Sequence, residues 1–433
     1  MNMTLALIII AFVVLLVLSV PVGVILLVVS MVPTFIDHGF AVDALYTVRN
    51  WVTTLDSTVY ISIPMFILSG IIMAKGGIAG KIFDVFAYIA GGLPGGLPSC
   101  VVLTCLFYGA ISGSGAATTA AVGAMTIPIL VELGYDKGFC AALIAVCGGL
   151  GSIIPPSNNF ILYATASSGK VSVGQMFKAG IIPGILVGVF LILYTVFYCA
   201  RKGEDREKIQ IRVKELRAGG VGHLLKESIW ALLSPVIVLG AIYTGVMTPT
   251  EASVASVVYA LIISLFVYRT IKVKDLWPTF REAVVTNSSI MIIIVAASIF
   301  ARVIILLRVP TIIQTAMNGA GASKVGVLLV INLILIIVGA LMDAGSALLI
   351  FTPILLPVCI SLGIAPVHLG IILCVNLCIG FVTPPVGMNL YVAASMTGMK
   401  AGVIARKSVP LLLVLLVALM LITYIPWFST VLA

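Results

Sequence analysis

Charged side chains and histidines are scarce in this sequence. Charged residues make up 9% of its 433 residues and hydrophobic residues 61%, whereas an ordinary soluble domain has roughly 25% and 45–50%. The three histidines, His38, His223 and His368, are far apart and have no metal-ligand neighbour. No Gly-rich loop ends in Lys-Ser or Lys-Thr, and no carboxylate pair suggests ATP hydrolysis. These absences argue against an enzyme, a transition-metal protein and an ATP-driven machine, and we expect no cofactor.

The cysteines do not form a metal-binding pattern. All eight lie in or beside apolar runs, at positions 100, 105, 140, 147, 199, 359, 374 and 378. Cys374 and Cys378 are one helical turn apart, but no histidine or carboxylate accompanies them. We interpret the cysteines as small packing residues, with a metal or disulfide pair as the alternative.

Long apolar runs are what the sequence has instead, and many reach the roughly 20 residues that cross a bilayer. They predict an all-α polytopic membrane protein with a single membrane domain. The net charge of +9 does not indicate nucleic acid, because the basic residues lie mostly in loops that the positive-inside bias places in the cytoplasm. The first run, residues 4–36, has no basic leader and no cleavage site, so we interpret it as one long, bent, retained span.

The remaining segments follow in order. After a polar connection at 37–54, spans are predicted at 58–74, 97–111, 116–131, 139–154, 181–200, 228–247, 252–268, 287–307, 325–339, 346–361, 368–383 and 408–425. Residues 78–90 and 311–318 are predicted short helices, the first of them amphipathic and interfacial, and 201–226 is a charged cytoplasmic loop. Residues 158–168 and 388–397 continue beyond two predicted breaks.

Two double prolines interrupt apolar segments, in Gly151-Ser-Ile-Ile-Pro-Pro156 and in Gly380-Phe-Val-Thr-Pro-Pro-Val386. A proline has no N–H, clashes with the preceding turn and disfavours helix at the residue before it. We therefore predict that one helix breaks at Ile154 or Pro155 and the other at Pro384. Broken helices at membrane depth occur where the freed backbone lines a cavity or is covered by protein.

Polar residues also interrupt the pairs 97–111/116–131 and 325–339/346–361, which predicts two re-entrant helical hairpins. Prolines and glycines recur between the halves at an offset of 229 from Pro128 to Pro156, 230 at the turn that begins at Gly109 and 227 at Pro183. The matched pairs are Pro128/Pro357, Gly134/Gly363, Pro155/Pro384, Pro156/Pro385, Gly109/Gly339 and Pro183/Pro410. Chance similarity of two apolar segments is the alternative, but it would match Leu and Ile rather than Pro and Gly.

The basic residues give the two halves opposite orientations. Segment 181–200 ends at the basic loop and so runs inward, whereas 408–425 follows Lys400, Arg406 and Lys407 and so runs outward. Inverted repeats with midplane breaks are the architecture of secondary transporters. The predicted organisation is an N-terminal scaffold span (1–57), a first inverted repeat (58–200), a cytoplasmic loop with linking spans (201–283) and a second inverted repeat (284–433).

The breaks offer groups for both ions and substrate. Helix C-terminal ends leave unpaired carbonyls with a negative dipole, so turn 109–112 facing break 151–156, and turn 339–342 facing break 380–386, are predicted to form cation cages. The helix starts beyond the breaks have the opposite polarity and suit an anion. Candidate substrate residues are Ser114, Ser157, Asn158, Asp343 and Asn389. Kinked helix packing is the alternative for these segments.

Few charges lie within the predicted spans. Asp343, at the second hairpin, is either functional, as intramembrane carboxylates usually are, or a cap for the backbone. Arg302 and Arg308 are expected to snorkel to the surface, with an anion contact as the alternative. Glu251 is expected to be a charge at a helix N-terminus.

Five motifs together resemble a known family over essentially the whole chain. They are Gly109-Ala-Ile-Ser-Gly-Ser114 with Ala117-Thr118, Ile153-Ile-Pro-Pro-Ser157, Thr248-Pro-Thr-Glu-Ala252, Met342-Asp343 and Gly380-Phe-Val-Thr-Pro-Pro-Val-Gly387. They resemble the large membrane subunit of TRAP (tripartite ATP-independent periplasmic) transporters, the DctM-like permeases. The resemblance implies a sodium-coupled elevator in the bacterial inner membrane that imports organic acids such as C4-dicarboxylates or sialic acid. It also implies a small four-helix membrane subunit and a periplasmic substrate-binding protein as partners.

The resemblance further implies two sodium sites, with sodium as the only metal. The first comprises Gly109, Ser112, Gly151, Ile154 and Pro156. The second comprises Gly339, Met342, Gly380, Thr383 and Val386. Many of these residues would act through backbone carbonyls. The alternatives are a stand-alone sodium/dicarboxylate symporter or an ion exchanger of similar design, and, in a different class, a membrane scaffold that transports nothing.

Overall fold

The computed structural model describes residues 3–37, 39–319 and 323–433, with the side chains of 318 and 319 excepted, and His38 therefore lies outside it. All regular structure in these residues is helical. The helices are α1 (Met3–Val17), α2 (Val22–Ile36), α3 (Ala44–Leu55), α4 (Thr58–Lys75), α5 (Ile78–Ala90), α6 (Gly96–Ser112), α7 (Gly115–Glu132), α8 (Lys137–Gly148), α9 (Asn158–Ala166), α10 (Val173–Lys202), α11 (Arg206–Ala218), α12 (Gly220–Tyr243), α13 (Pro249–Ile262), α14 (Val273–Leu306), α15 (Val309–Gly319), α16 (Lys324–Leu341), α17 (Ala344–Ser361), α18 (Pro366–Gly380), α19 (Met388–Thr397), α20 (Ala401–Tyr424) and α21 (Trp427–Thr430). A 3₁₀ segment (Gly149–Ser152) continues α8, and a π-helical turn (Ile263–Val267) continues α13.

Within the described residues, nine helices are long and apolar enough to cross a membrane. They are α4, α7, α10, α12, α13 with its π-helical turn, α14, α16, α17 and α20. Both predicted hairpins are present, as α6–α7 and α16–α17, and both predicted breaks are present, between α8 and α9 and between α18 and α19. The sequence-based prediction of two interrupted hairpins and two broken helices is therefore confirmed.

The prediction of one bent span at residues 4–36 is wrong. Helix α1 ends at Val17, and Ser19 adopts the left-handed conformation at φ 58° before Pro21 precedes α2. The N–H groups of Leu18, Ser19 and Val20 close the end of α1 by bonding back to its last turn. The two short helices then pack against each other, because a left-handed residue followed by proline turns the chain instead of continuing the helix.

The predicted polar connection at 37–54 contains helix α3, which the sequence analysis did not predict. The carboxylate of Asp43 caps the helix by accepting the N–H of Tyr46 at 2.7 Å. The polar side of α3 faces the rest of the protein, since Asn50 Nδ2 donates to Ser298 Oγ of α14 at 2.6 Å. Leu45 and Val48 are 56% and 62% exposed on the other side. The apolar face of α3 therefore points away from the protein.

The predicted loop at 201–226 is mostly helical as well. Asp205 caps α11 by accepting the N–H of Lys208 at 3.3 Å, and Ile209 and Val213 are buried. The guanidinium of Arg217 donates two hydrogen bonds to the carbonyl of Tyr88, at 3.0 and 3.2 Å. Helix α11 is thus held against α5, and two of its apolar residues are buried although the helix as a whole is highly charged.

The two halves of the chain complete each other. Helix α2 packs against α14 while α13 packs against α4, and α9 packs against α17 while α19 packs against α7. The same exchange relates α8 with α20 and α10 with α18. In the pairs α9 with α17, α19 with α7, α8 with α20 and α10 with α18, each element of one repeat contacts the other repeat. The sequence repeat therefore corresponds to interlocked packing.

Candidate functional site

The tip of the first hairpin lies against the first break. Gly113, at φ 61°, ends α6 and donates its N–H to the carbonyl of Gly109 at 2.9 Å. A Cβ atom on Gly109 would lie 2.7 Å from the Cα of Gly151, closer than such atoms approach. On the far side of the break, the N–H of Asn158 donates to the carbonyl of Gly113 at 3.2 Å. The hairpin tip thus contacts both ends of the break.

The second hairpin meets the second break in the same way. A Cβ atom on Gly380 would lie 2.5 Å from the carbonyl carbon of Gly339. The N–H of Val386 donates to the carbonyl of Ala340 at 3.1 Å. The predicted pairing of each hairpin with its break is what the structure has, and the glycines allow backbone to touch backbone.

Both helices end before the prolines. The α-helical part of α8 stops at Gly148 and its 3₁₀ continuation at Ser152, whereas the prediction placed the break at Ile154 or Pro155. Helix α18 stops at Gly380, not at Pro384. Since glycines weaken helix just before each proline pair, the chain leaves the helix about one turn earlier than proline sterics alone require.

The residues of the first implied sodium site lie together. Ser112 Oγ shares a hydrogen bond with Thr118 Oγ1 at 2.8 Å, and Gly109 and Gly151 are in backbone contact. The carbonyl oxygen of Pro156 is 2.9 Å from where a Cβ of Gly113 would be. No backbone N–H of the described residues donates to the carbonyls of Ile154 or Pro156. These oxygens are therefore unpaired within the backbone.

The residues of the second implied sodium site are arranged similarly, except that the hydroxyl belongs to the break and not to the hairpin. The hydroxyl of Thr383 donates to the carbonyl of Ile379 at 2.9 Å, so its oxygen lone pairs remain. The carbonyl of Gly380 already accepts the N–H of Thr383 at 3.1 Å. In the part of the chain that the structure describes, the carbonyls of Thr383 and Val386 accept no backbone N–H. Met342 is buried at the end of α16.

A small cavity of about 130 Å³ lies between the two hairpin tips. Ser114, Asn158 and Asp343, which the sequence singled out, line its wall. Sequence reasoning missed the other lining residues, which are Gly113, Gly115, Ala116, Ser152, Asn159, Leu162, Ile290, Ile293, Ala344, Gly345, Ser346, Leu349, Phe381 and Met388. For Asn159, its position directly after the candidate Asn158 was a local signal. The volume equals that of about four water molecules.

Two further candidates do not line this cavity. Ser157 is buried and its hydroxyl donates to the carbonyl of Ser152 at 2.7 Å. Asn389 is fully buried and its Nδ2 donates to the carbonyl of Ala145 at 2.9 Å. Asn389 therefore joins the second broken helix to the first one, a contact across 244 positions.

The cavity wall is built from helix starts. Helices α7, α9 and α17 begin at Gly115, Asn158 and Ala344, and all three residues face the cavity. Helix N-termini present the positive end of the helix dipole, although the N–H of Gly115 already donates to Ser152 Oγ at 3.0 Å and the N–H of Asn158 to the carbonyl of Gly113. Two side-chain atoms on the wall, Asn158 Oδ1 and Asn159 Nδ2, are buried and have no hydrogen-bond partner among the described residues. The wall therefore combines three helix N-terminal ends with one unpartnered amide acceptor and one unpartnered amide donor.

Asp343 caps its helix, one of the two roles expected for it. Its carboxylate accepts the N–H of Ser346 at 2.8 Å and the hydroxyl of Ser346 at 2.5 Å. The side chain is also part of the cavity wall. Glu251 forms a capping box with Thr248 at the start of α13, as expected. Arg302 and Arg308 are exposed and line no part of the cavity.

All eight cysteines are buried and free. Among the described residues, no group of three or more His, Cys, Asp or Glu is placed to hold a metal ion. His223 lies 3.4 Å from Glu227 on the same helix, and the buried Nε2 of His368 lies 3.1 Å from the carbonyl of Thr423.

A family model described as "Tripartite ATP-independent periplasmic transporter, DctM component" matches residues 9–428. The chain belongs to this family. The resemblance inferred from the five motifs is confirmed, and the chain is a large permease component of a TRAP transporter.

Curated relatives agree with this assignment. The chain is 42% identical over 381 residues to the isethionate TRAP transporter permease protein DctMQ of Oleidesulfovibrio alaskensis, covering 88% of this chain and 59% of that longer protein. It is 39% identical over 366 residues to the C4-dicarboxylate TRAP transporter large permease protein DctM of Pseudomonas aeruginosa, covering 84% of each. It is 29% identical over 412 residues to the sialic acid TRAP transporter large permease protein SiaM of Vibrio cholerae, covering 95% of this chain and 94% of that one.

Two solved membrane transporters share the fold of this TRAP permease. The YdaH transporter of Alcanivorax borkumensis aligns with a TM-score of 0.62 and 16% identity, covering 95% of this chain and 98% of that one. MtrF of Neisseria gonorrhoeae aligns with a TM-score of 0.64 and 13% identity, covering 96% and 95%. At such identities the likeness concerns the fold alone. It confirms the predicted all-α polytopic transporter fold.

Proposed function

We propose that this TRAP permease imports a small organic acid anion and uses a sodium gradient as the energy source. The observation that carries the proposal is the cavity between the hairpin tips, where three helices begin and two carbonyl-rich breaks lie alongside. The cavity would hold an anion, and the two breaks would hold the cations that accompany it.

The preference for an anion follows from the cavity wall. Helix starts at Gly115, Asn158 and Ala344 line the space and direct the positive ends of their dipoles towards it. The free Nδ2 of Asn159 adds a donor. Asp343 also lines the space, where its carboxylate caps α17 by accepting two hydrogen bonds from Ser346. Carboxylates and sulfonates both fit this chemistry, and the relatives are named for C4-dicarboxylate, isethionate and sialic acid.

The preference for sodium follows from the oxygens at the breaks. Backbone carbonyls and a hydroxyl are hard, neutral ligands that suit an alkali cation. Carbonyls of Ile154 and Pro156 in one break, and of Thr383 and Val386 in the other, are free of backbone donors. A cation bound there would join the hairpin to the break and would add positive charge near the anion. This arrangement would couple substrate binding to sodium binding.

The packing supports an elevator mechanism. Helices α6–α9 and α16–α19 contain both hairpins and both breaks, and they contact one another through α9 with α17 and α19 with α7. The frame would consist of the pairs α13 with α4 and α14 with α2, in keeping with the predicted division into scaffold and repeats. We propose that helices α6–α9 and α16–α19 move together and carry substrate past the frame in the bacterial inner membrane.

A small four-helix membrane subunit and a periplasmic substrate-binding protein are the proposed partners. The tripartite name of the family is the basis for them. The isethionate relative is named DctMQ, and this chain covers 59% of its length. The rest of that protein would be long enough for a second component. The binding protein would deliver the acid and largely decide which acid is transported.

Uptake into proteoliposomes tests the proposal. The chain is reconstituted with its small subunit, and radiolabelled succinate, isethionate or sialic acid is added with the cognate binding protein under a sodium or a choline gradient. We expect uptake only with sodium and binding protein. Uptake by this chain alone would indicate a stand-alone symporter, and uptake with choline would exclude sodium coupling. No transport of any acid under any gradient would favour a membrane scaffold.

A further inference from the structure

A chain of buried polar side chains connects three membrane helices outside the cavity. Asn376 Nδ2 on α18 donates to Asn332 Oδ1 on α16 at 2.8 Å and lies 3.0 Å from the carbonyl of Asn332. Asn332 Nδ2 donates to Thr423 Oγ1 on α20 at 3.1 Å, and His368 Nε2 lies 3.1 Å from the carbonyl of Thr423. All four residues are at most 2% exposed.

This polar bridge lies next to the second break. Asn376 precedes Gly380 by four positions on α18, and Asn332 precedes Gly339 by seven positions on α16. Residues four or seven apart share one face of a helix. The bridge and the Gly339–Gly380 backbone contact therefore lie on the same interface between α16 and α18. No predicted site residue is part of the bridge.

The first half has no such bridge. The repeat offsets of 230 and 229 place Val102 opposite Asn332, Cys147 opposite Asn376 and Phe139 opposite His368. The corresponding interface between α6 and α8 is thus closed by apolar side chains, which are buried. The backbones of the two breaks are arranged alike, but the helices beside the second break are joined by polar side chains and those beside the first by apolar ones.

Buried amides are an unusual choice for helix packing alone. An apolar pair would close the interface, as it does in the first half, without the risk of unpaired polar atoms at membrane depth. Asn376 Oδ1 and His368 Nδ1 have no partner among the described residues. A bidentate amide contact, however, fixes both the separation and the axial register of two helices, which apolar contacts do less well.

We propose that Asn332 and Asn376 are positioning residues that set the spacing of α16 and α18 at the second implied sodium site and so raise its affinity for sodium. The inference rests on the sodium coupling proposed above. The bridge touches no ion itself and acts through Gly339 and Gly380, whose backbone contact joins the hairpin to the break that carries the free carbonyls of Thr383 and Val386.

The test replaces the bridge by the residues of the first half, in the double variant Asn332→Val/Asn376→Cys. Sodium binding to the purified chain is read as the rise in Tm with NaCl, with choline chloride as the blank. We expect the half-maximal sodium concentration to rise about three-fold or more, because the loss of one hydrogen bond between membrane helices already corresponds to about this factor and the variant removes three. Tm without sodium should stay close to wild type, since apolar side chains fill the interface.

Ser99 and Thr195 provide a matched control. Their hydroxyls share a buried hydrogen bond of 3.0 Å between α6 and α10, and Ser99 precedes Gly109 by ten positions on α6, about 15 Å along the helix. Ser99→Ala/Thr195→Val removes a buried polar contact of the same kind and should leave the half-maximal sodium concentration unchanged. A purely structural role for the asparagines would make the two double variants behave alike.

The outcomes separate the two proposals. If wild type shows no sodium-specific rise in Tm, sodium coupling itself is overturned. If wild type responds and Asn332→Val/Asn376→Cys responds at the same concentration, only the positioning role is overturned. Should the double variant not accumulate, Thr423→Val serves instead, because it removes only the bond to Asn332 Nδ2. A smaller rise in the half-maximal concentration is then expected, and an unchanged value overturns the inference.

Discussion

Gly109 and Gly151 touch through their backbones, and a Cβ on Gly109 would lie 2.7 Å from the Cα of Gly151. Gly339 and Gly380 repeat this contact in the second half. Without side chains at these points, the backbone of each hairpin tip lies in contact with the backbone of its break. The glycines thus link the sequence repeat to the proposed chemistry.

Gly109→Ala is expected to separate the first hairpin from its break. The added methyl group must displace backbone, so we expect a loss of stability of about 1–3 kcal/mol and a higher sodium requirement. Thermal unfolding with and without sodium measures both. Gly240→Ala is the control, since its methyl group would meet nothing within 4 Å and alanine favours helix. Equal behaviour of the two variants would contradict the close contact.

Thr383→Val is expected to raise the sodium concentration for half-maximal uptake by roughly five-fold, because it removes one oxygen ligand. The lost hydrogen bond to the Ile379 carbonyl contributes little, since such back-bonding does not stabilise helices. Thr383→Ser keeps the hydroxyl and should keep the wild-type requirement. An unaltered sodium dependence in the valine variant would remove this ligand from the second site.

Asn158→Asp is expected to weaken substrate uptake at saturating sodium. The new carboxylate would stand on the cavity wall at the start of α9 and would repel an anion. We expect the KM for the acid to rise roughly ten-fold or more, and less in Asn158→Ala, which only removes the amide. Initial uptake rates over a range of substrate concentrations give the KM. A lower KM in the aspartate variant would indicate a cationic substrate.

Asp205→Asn tests the cap of α11. The N–H of Lys208 and then its ammonium group, 3.2 Å away, hold the pKa of Asp205 below its ordinary value of 3.8. Because the folded-state pKa is lowered, the stabilisation is present above pH 3.8 and is lost as the pH falls through the lowered pKa. Hydrogen exchange in Arg206–Ala218, corrected for intrinsic rates, should rise in acid for wild type. Asparagine also caps helices, so the variant should lack this pH step.

Local backbone chemistry made the breaks and hairpins predictable from sequence. Proline and glycine act on their own residue and its neighbours, so Pro155, Pro156, Pro384 and Pro385 indicated interruptions without any tertiary knowledge. Their exact ends were less predictable, because Gly148 and Gly380 already release the helix. The register of the repeat followed from the same residue types.

Features that depend on distant contacts were not predictable in this way. The amide of Asn389 bonds to Ala145 of the other half, and Ile290 and Ile293 of α14 reach the cavity, which no local pattern indicates. Helices α3 and α11 were missed because each looks polar as a whole. Their caps, Asp43 and Asp205, were the available signals.

Asp343 distinguishes a cap from a substrate contact. Asparagine caps helices about as well as aspartate, so Asp343→Asn should keep the stability of α17 while it removes a negative charge from the cavity wall. If the substrate is an anion and Asp343 only caps, the KM should fall. Asp343→Ala loses the bonds to Ser346 and should lower the free energy of unfolding by about 1 kcal/mol. Uptake kinetics and thermal unfolding of both variants measure these effects. Abolished uptake by Asp343→Asn at wild-type stability would show instead that the carboxylate itself takes part in transport.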